Sequence, residues 1–354
     1  MPRPTVHRTP FGSAHGAETG LWTLDSGTGV TAEVLSYGAS LHRLTVPDTA
    51  GAAASVVRSL ATIGDYTGKH PYFGAVVGRY ANRIAHGRFT LDGATHHIPA
   101  NDRGHALHGG PDGFHTKVWD ATAGRTDTTA SVRLTLHSPD GDKGFPGALD
   151  VSVTYTLDAT GTLAVDYASV TDRATVVNLT NHAYFHLAGR GDILGHRLEV
   201  DADTYLPVDG DGIPLGPPAG VRGTAFDLTA ARVLGEQMAL EDEQLRLAGG
   251  FDHCWVLREP AGGLRRAARL TAPGAGRVLE VWTTEPGIQV YTANRLDGSF
   301  TDAGGRRHDR HGAVCLETQH LPDSPNRPGQ PSTVLRPGGT ARSRTELRFP
   351  HLRL

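Results

Sequence analysis

LDVSVTYTLDATGTLAVDYASV, Leu149 to Val170, alternates apolar and polar side chains on both sides of Asp158 to Gly161. A period of two places every second side chain on one face of a strand. The Asp-Ala-Thr-Gly cluster between the halves favours a tight reversal, so the stretch predicts a hairpin with one buried face. The same alternation recurs outward in TAEVLSYGASLHRLTV (31–46), SVRLTLH (131–137), RVLEVWTT (277–284) and RSRTELRF (342–349), with turn clusters at Asp92-Gly93 and Asp209 to Gly212. Helical patterning is confined to Val57 to Tyr66 and to Thr229 to Leu247, the latter interrupted by Gly235. Strands that follow strands without regular helices between them predict an all-β fold, a large antiparallel β-sandwich with few short helices.

The 354 residues include 45 Gly and 22 Pro, about 19% together, too few for a low-complexity chain. With 38% hydrophobic and 20% charged residues the chain has material for a sizeable core and a solvated surface. A net charge of -3 offers no electrostatic footprint for nucleic acid or an anionic membrane. The opening MPRPTVHRTPFGSAHG contains no apolar run of secretory length, and no segment reaches the ~18 apolar residues of a membrane helix. Cys254 and Cys315 each sit in an apolar strand-like run and read as buried thiols rather than a disulfide framework. The expectation is a cytoplasmic protein. No solenoid-length repeat is present, and the Pro/Gly-rich segments Val208 to Gly223 and Pro322 to Pro331 read as loops. Residues 1–354 are expected to form one domain.

Two segments carry ionisable groups among apolar neighbours: NLTNHAYFHL, Asn178 to Leu187, and CLETQ, Cys315 to Gln319. Burial shifts the pKa of such groups and makes them useful proton donors or acceptors. His182 as an acid and Glu317 as a base is the working reading. His182 and His186 also have the i, i+4 spacing of a zinc hydrolase helix, but Ala183 stands where that motif needs Glu. On a strand, residues four apart are roughly 13 Å from one another.

GRYANRI (78–84), HALHGG (105–110), NLTNHAYFHL, FDHCWVL (251–257), PGIQVYTAN (286–294) and CLETQHLPDSPN (315–326) occur in that order. Together they resemble the aldose 1-epimerase, or galactose mutarotase, family. The resemblance implies a single sandwich of the galactose mutarotase type with a sugar cleft across one sheet. It implies interconversion of the α and β anomers of free aldoses such as glucose or galactose, with Glu317 and His182 catalytic. Asn82, Arg83, His108, Asp252 and Gln289 are implied to bind the sugar. The expected partner is a small-molecule aldose, with no nucleic acid and no membrane, and the protein is expected to be a monomer or homodimer. Two positions depart from the family pattern: His186 replaces the usual Asn, and Tyr80 replaces a small aliphatic residue.

Opening a cyclic hemiacetal removes the C1 hydroxyl proton and protonates the ring oxygen, after which rotation and closure yield the other anomer. One base and one acid suffice, each contributing about 10² to 10⁴ in rate, and no metal or other cofactor is required. The carboxylate and imidazole are expected on opposite sides of one pyranose. Two other readings compete. A phosphorylated-hexose epimerase would need a basic rim, for which Arg327 and Arg336 are candidates. A non-catalytic carbohydrate-binding sandwich would not need the Glu317 and His182 pair.

Overall fold

The Leu149 to Val170 hairpin forms as the alternation predicts, Leu149–Asp158 pairing antiparallel with Leu163–Thr171. Its buried side chains include Val151, Val153, Tyr155, Leu163 and Val165, while Ser152, Thr154 and Asp166 are partly exposed. The computed structural model describes residues 3–258 and 262–351, so the ends of the expected 1–354 domain lie outside the described residues.

The hairpin belongs to a nine-stranded sheet. Its order is Asp120–Arg125, Thr129–Ser138, Leu149–Asp158, Leu163–Thr171, Ala341–Arg348, Arg277–Thr283, Arg265–Ala272, Arg197–Val200 and Arg232–Val233. A seven-stranded sheet runs Ala219–Gly220, Ala202–Leu206, Asp252–Leu257, Gly287–Tyr291, Val314–Gln319, Tyr184–Phe185 and Val57–Arg58. Every pairing in these two sheets is antiparallel. A five-stranded sheet from Thr5–Ala14 to Ala53–Ser55 adds a further layer.

One apolar cluster joins the three sheets: Val153, Leu279 and Val281 from the nine-stranded sheet, Trp255, Ile288, Val290 and Leu316 from the seven-stranded sheet, Leu24, Val34 and Leu44 from the third. Each large apolar side chain removed from water contributes roughly 1.5–3 kcal/mol. The two main sheets also touch through a hydroxyl pair, Thr318 Oγ1 to Thr345 Oγ1 at 2.6 Å. Both cysteines are buried and free, as read from their neighbours.

The α-helices among the described residues are Ile63–Thr67, Leu234–Met238 and Glu243–Ala248. Two helical expectations need correction. Val57–Arg58 is an edge strand paired with Tyr184–Phe185, and the helix starts only after Thr62, whose side chain and Asp65 form a capping box. Thr229 to Leu247 divides near Asp242, which caps Glu243–Ala248 by accepting from the Gln244 and Leu245 N–H groups; Gly235 lies inside the preceding turn of helix. The Val208 to Gly223 loop contributes a short strand, Ala219–Gly220. No helix among the described residues is long and apolar enough to cross a membrane.

Candidate active site

Asp252–Leu257, Gly287–Tyr291 and Val314–Gln319 are neighbours in the seven-stranded sheet. Register sets Gln289 directly opposite Glu317, and Asp252 and Cys315 on either side of Tyr291. Facing residues in an antiparallel ladder project to the same side, so Asp252, Gln289, Tyr291 and Glu317 form one surface. The intervening Ile288, Val290, Val314 and Leu316 belong to the sandwich core. This alternation explains why a carboxylate sits between apolar residues in the Glu317 segment.

The walls come from earlier parts of the chain. The His182 backbone is pinned by donation to Ala75 O (2.8 Å) and by acceptance from Gly74 N–H (3.0 Å). The His108 N–H donates to Asn82 O (3.0 Å), and the Asn82 N–H donates back to His108 Nδ1 (3.2 Å). Tyr72, Asn82 and His108 all have left-handed backbones, with φ of 63°, 61° and 52°. That conformation is uncommon outside glycine and a marked outlier for a bulky residue, and such strain persists only where surroundings enforce it. Gly109 is required beside them: a Cβ there would lie 2.1 Å from Gly78 O.

These elements enclose a pocket of about 130 Å³. All the residues expected at the site line it: Asn82, Arg83, His108, His182, Asp252, Gln289 and Glu317. Glu317 is 2% exposed, with Oε2 unpartnered, and its Oε1 lies 3.7 Å from His182 Nε2. Gln289 donates to Asp252 Oδ1 at 2.8 Å, leaving its own Oε1 unpartnered. Arg83 is held by Asp102 Oδ2, at 3.0 Å from Nε and 2.9 Å from Nη2.

The expectation of a ring between Glu317 and His182 does not hold. An intervening pyranose would need two van der Waals contacts of about 3.5–4.0 Å, one on each side, whereas the two groups are 3.7 Å apart and stand side by side. That spacing suits two oxygens on one carbon, which is what C1 of a cyclic aldose carries.

Burial dominates the electrostatics. It pushes the Glu317 carboxyl well above the ordinary carboxylate range, reinforced by the Asp252 charge and opposed by Arg83. It lowers His182 to about 4, opposed by a backbone hydrogen bond and by Asp252. His108 is also driven well below its usual value, chiefly by burial, with His182 and Arg83 adding to the effect. The pocket thus favours neutral forms of all three side chains.

His108, His182 and Glu317 place ligand-type atoms within 4.8 Å of one another, the donor set of some zinc enzymes. The Asn82 N–H argues against that use. A neutral imidazole that accepts at Nδ1 carries its proton on Nε2, so the other nitrogen of His108 is a donor without a lone pair. His182 and Glu317 alone do not complete a zinc site.

Other polar residues of the quoted segments lie outside the pocket lining. His186 Nε2 bonds to the carbonyls of Gly191 and Asp192, at 3.1 Å each. His105 Nδ1 accepts from the His86 N–H. Arg79 binds the carbonyls of Ser138, Pro139, Pro146 and Gly147, and Tyr80 is buried in a cluster with Ile84 and Phe89. Arg327 pairs with Asp323 and Arg336 with Asp92, so neither provides the basic rim considered for a phosphorylated sugar. A larger hollow of about 1160 Å³ lies over the nine-stranded sheet near Arg133, Asp166 and Arg344, away from these residues.

Sequence reasoning missed Pro71, Tyr72, Leu107, Tyr184, Tyr291 and Arg295 in the lining. Tyr184 and Tyr291 sit inside the quoted segments and strand alternation could have placed Tyr291, whereas a left-handed Tyr72 has no local sequence signal.

Comparison with known proteins places the chain among its relatives. The family model described as aldose 1-epimerase matches residues 20–348. The galactose mutarotase of Rattus norvegicus is 44% identical over 319 residues, covering 90% of each chain. The aldose 1-epimerase of Escherichia coli strain K12 is 35% identical over 347 residues, covering 97% of this chain and 99% of its own. The crystal structure of galactose 1-epimerase from Lactobacillus acidophilus NCFM superposes with a TM-score of 0.87 at 29% identity, covering 98% of both chains. A match running through every strand that builds the pocket leaves one conclusion: the chain belongs to the aldose 1-epimerase family.

Proposed function

We propose that this protein interconverts the α and β anomers of free aldoses such as galactose or glucose, with Glu317 as the base and His182 as the acid. The observation that carries the reading is the 3.7 Å spacing of Glu317 Oε1 and His182 Nε2 inside a buried pocket. In the bound ring form, Glu317 takes the C1 hydroxyl proton while His182 delivers one to the ring oxygen. Glu317 is then protonated and His182 neutral, the pair of states that burial favours. After rotation about C1–C2, the reverse transfers close the ring on the other face.

The pair holds one mobile proton throughout, so no proton need enter from solvent during a turnover. Because burial favours the neutral pair before ring opening as well, the charged pair that starts the reaction forms by proton transfer from Glu317 to His182 within the bound complex. The His108 Nε2–H donates to a sugar hydroxyl, Arg83 donates from a guanidinium fixed by Asp102, and Asp252, Gln289 and Asn82 serve the remaining hydroxyls. The described strands draw on most of the chain, and we read it as one catalytic domain working in the cytoplasm as a monomer or homodimer. The test is anomer exchange of α-D-galactose, followed by polarimetry or NMR with purified protein. Rates equal to the uncatalysed reaction would overturn the reading in favour of a silent sugar-binding sandwich.

A further inference from the structure

Three tyrosines line the pocket, Tyr72, Tyr184 and Tyr291, and two of them have their hydroxyls committed to the protein. The Tyr184 hydroxyl donates to Pro71 O at 2.9 Å, and the Tyr291 hydroxyl accepts from the Arg295 N–H at 3.1 Å. The Tyr72 hydroxyl has no hydrogen-bond partner among the described residues.

Packing accounts for the Tyr72 ring but not for its oxygen. The ring meets His108 and His115 edge-on, with centroids 4.6 and 4.7 Å away, and lies 5.7 Å from the ring of His182. Phenylalanine would make the same contacts. The backbone is held in a costly conformation as well, a left-handed φ of 63° in a bulky residue. It is clamped there by the Ala75 N–H, which donates to Tyr72 O at 3.1 Å, and by the Tyr184 hydroxyl on the preceding carbonyl. Asn82 and His108, the other left-handed residues of the wall, hydrogen-bond each other. Tyr72 gains no such bond, and its strained backbone instead keeps the side chain in the pocket lining.

The phenol suits a ligand hydroxyl. Burial pushes its pKa up to about 12, with the Asp102 charge reinforcing and Arg83 opposing, so the group stays protonated and can both donate and accept. The charges that act on it are those of Asp102 and Arg83 rather than that of Glu317, which puts the phenol on the Arg83 side of the pocket. With C1 of the sugar at Glu317 and His182, a hydroxyl met on that side belongs to another carbon.

We propose that Tyr72 is a substrate-binding residue whose phenol hydrogen-bonds a non-anomeric hydroxyl of the bound aldose. The proposal rests on the anomer-exchange reading above and adds a specificity-determining contact to the same site. An aldose lacking that hydroxyl leaves the phenol unpaired and is discriminated against.

The experiment measures kcat and KM for D-galactose and its 2-, 3-, 4- and 6-deoxy analogues by NMR anomer exchange, using wild type and Tyr72→Phe, which keeps the ring and removes only the oxygen. With galactose, Tyr72→Phe should raise KM by about tenfold and leave kcat within about twofold, as for a contact made equally in the ground and transition states. One deoxy analogue should show a similar loss with wild type and no further loss with Tyr72→Phe, a coupling that a purely structural tyrosine would not produce. A wild-type KM in Tyr72→Phe overturns the proposal, as does a loss that is equal for galactose and every analogue. A fall in kcat at unchanged KM also overturns it and assigns Tyr72 to the positioning of His108 and His182. Exchange of no sugar by wild type would bring down the underlying anomer-exchange reading.

Discussion

Replacing Glu317 by Gln should remove activity while leaving the fold as stable as before or more so. The substitution keeps the side chain's size and removes its ability to take a proton. No nearby group is set to substitute: Gln289 donates to Asp252, the other carboxylate in the lining. A lost base is worth about 10²–10⁴ in kcat, and with no substitute the upper half of that range is expected, roughly 4–5.4 kcal/mol of transition-state stabilisation. The assay is NMR exchange of D-galactose anomers at saturating sugar.

Stability should move the other way. A carboxyl whose folded pKa is raised favours folding below its unfolded value of about 4.3 and loses that contribution as pH rises toward the folded value. Glutamine has no such dependence, so Glu317→Gln should gain thermal stability relative to wild type as pH increases from 4 to 8. Activity within tenfold of wild type would refute the base assignment. Inactivity with a thermal midpoint that falls below wild type at pH 8 would refute the account of burial.

The pH profile of kcat/KM should be broad. The one-proton state of the pair extends from the lowered His182 value, about 4, up to the raised Glu317 value, so an acid limb near pH 4 and a plateau through neutrality are expected; a fall centred at about 6.5, the free-histidine value, would contradict it. His182→Asn should lower kcat by at least about 10² with KM less affected, checked by the same exchange assay. Asp102→Asn should release the Arg83 guanidinium and lower kcat/KM by about 10–100-fold, read from initial rates over a range of galactose. Gly109→Ala would set a Cβ 2.1 Å from Gly78 O at a φ of 88°, and a loss of about 2–4 kcal/mol in denaturant unfolding is expected.

The fold was legible wherever one strand face meets solvent. Leu149 to Val170 shows both faces in its alternation, and its turn residues mark the reversal. Val57–Arg58 was not legible, because a two-residue edge strand offers no period, and the break near Asp242 depended on a cap rather than on Gly235. At the site, Glu317 and His182 were identifiable as chemistry, but their side-by-side placement was not, since it follows from the pairing of Val314–Gln319 with Tyr184–Phe185 across distant sequence. Arg295 escaped notice because a loop arginine acquires meaning only from the three-dimensional pocket it lines.

Ala341–Arg348 lies between Leu163–Thr171 and Arg277–Thr283, in the middle of its sheet. During synthesis the strands from Asp120 to Thr171 and those from Arg197 to Thr283 can form two half-sheets, yet nothing joins them until this late segment leaves the ribosome. The nascent chain must therefore carry unpaired inner edges until that segment is made, a state prone to association with other chains. Truncation before Ala341 would leave the two half-sheets without the strand that pairs with both.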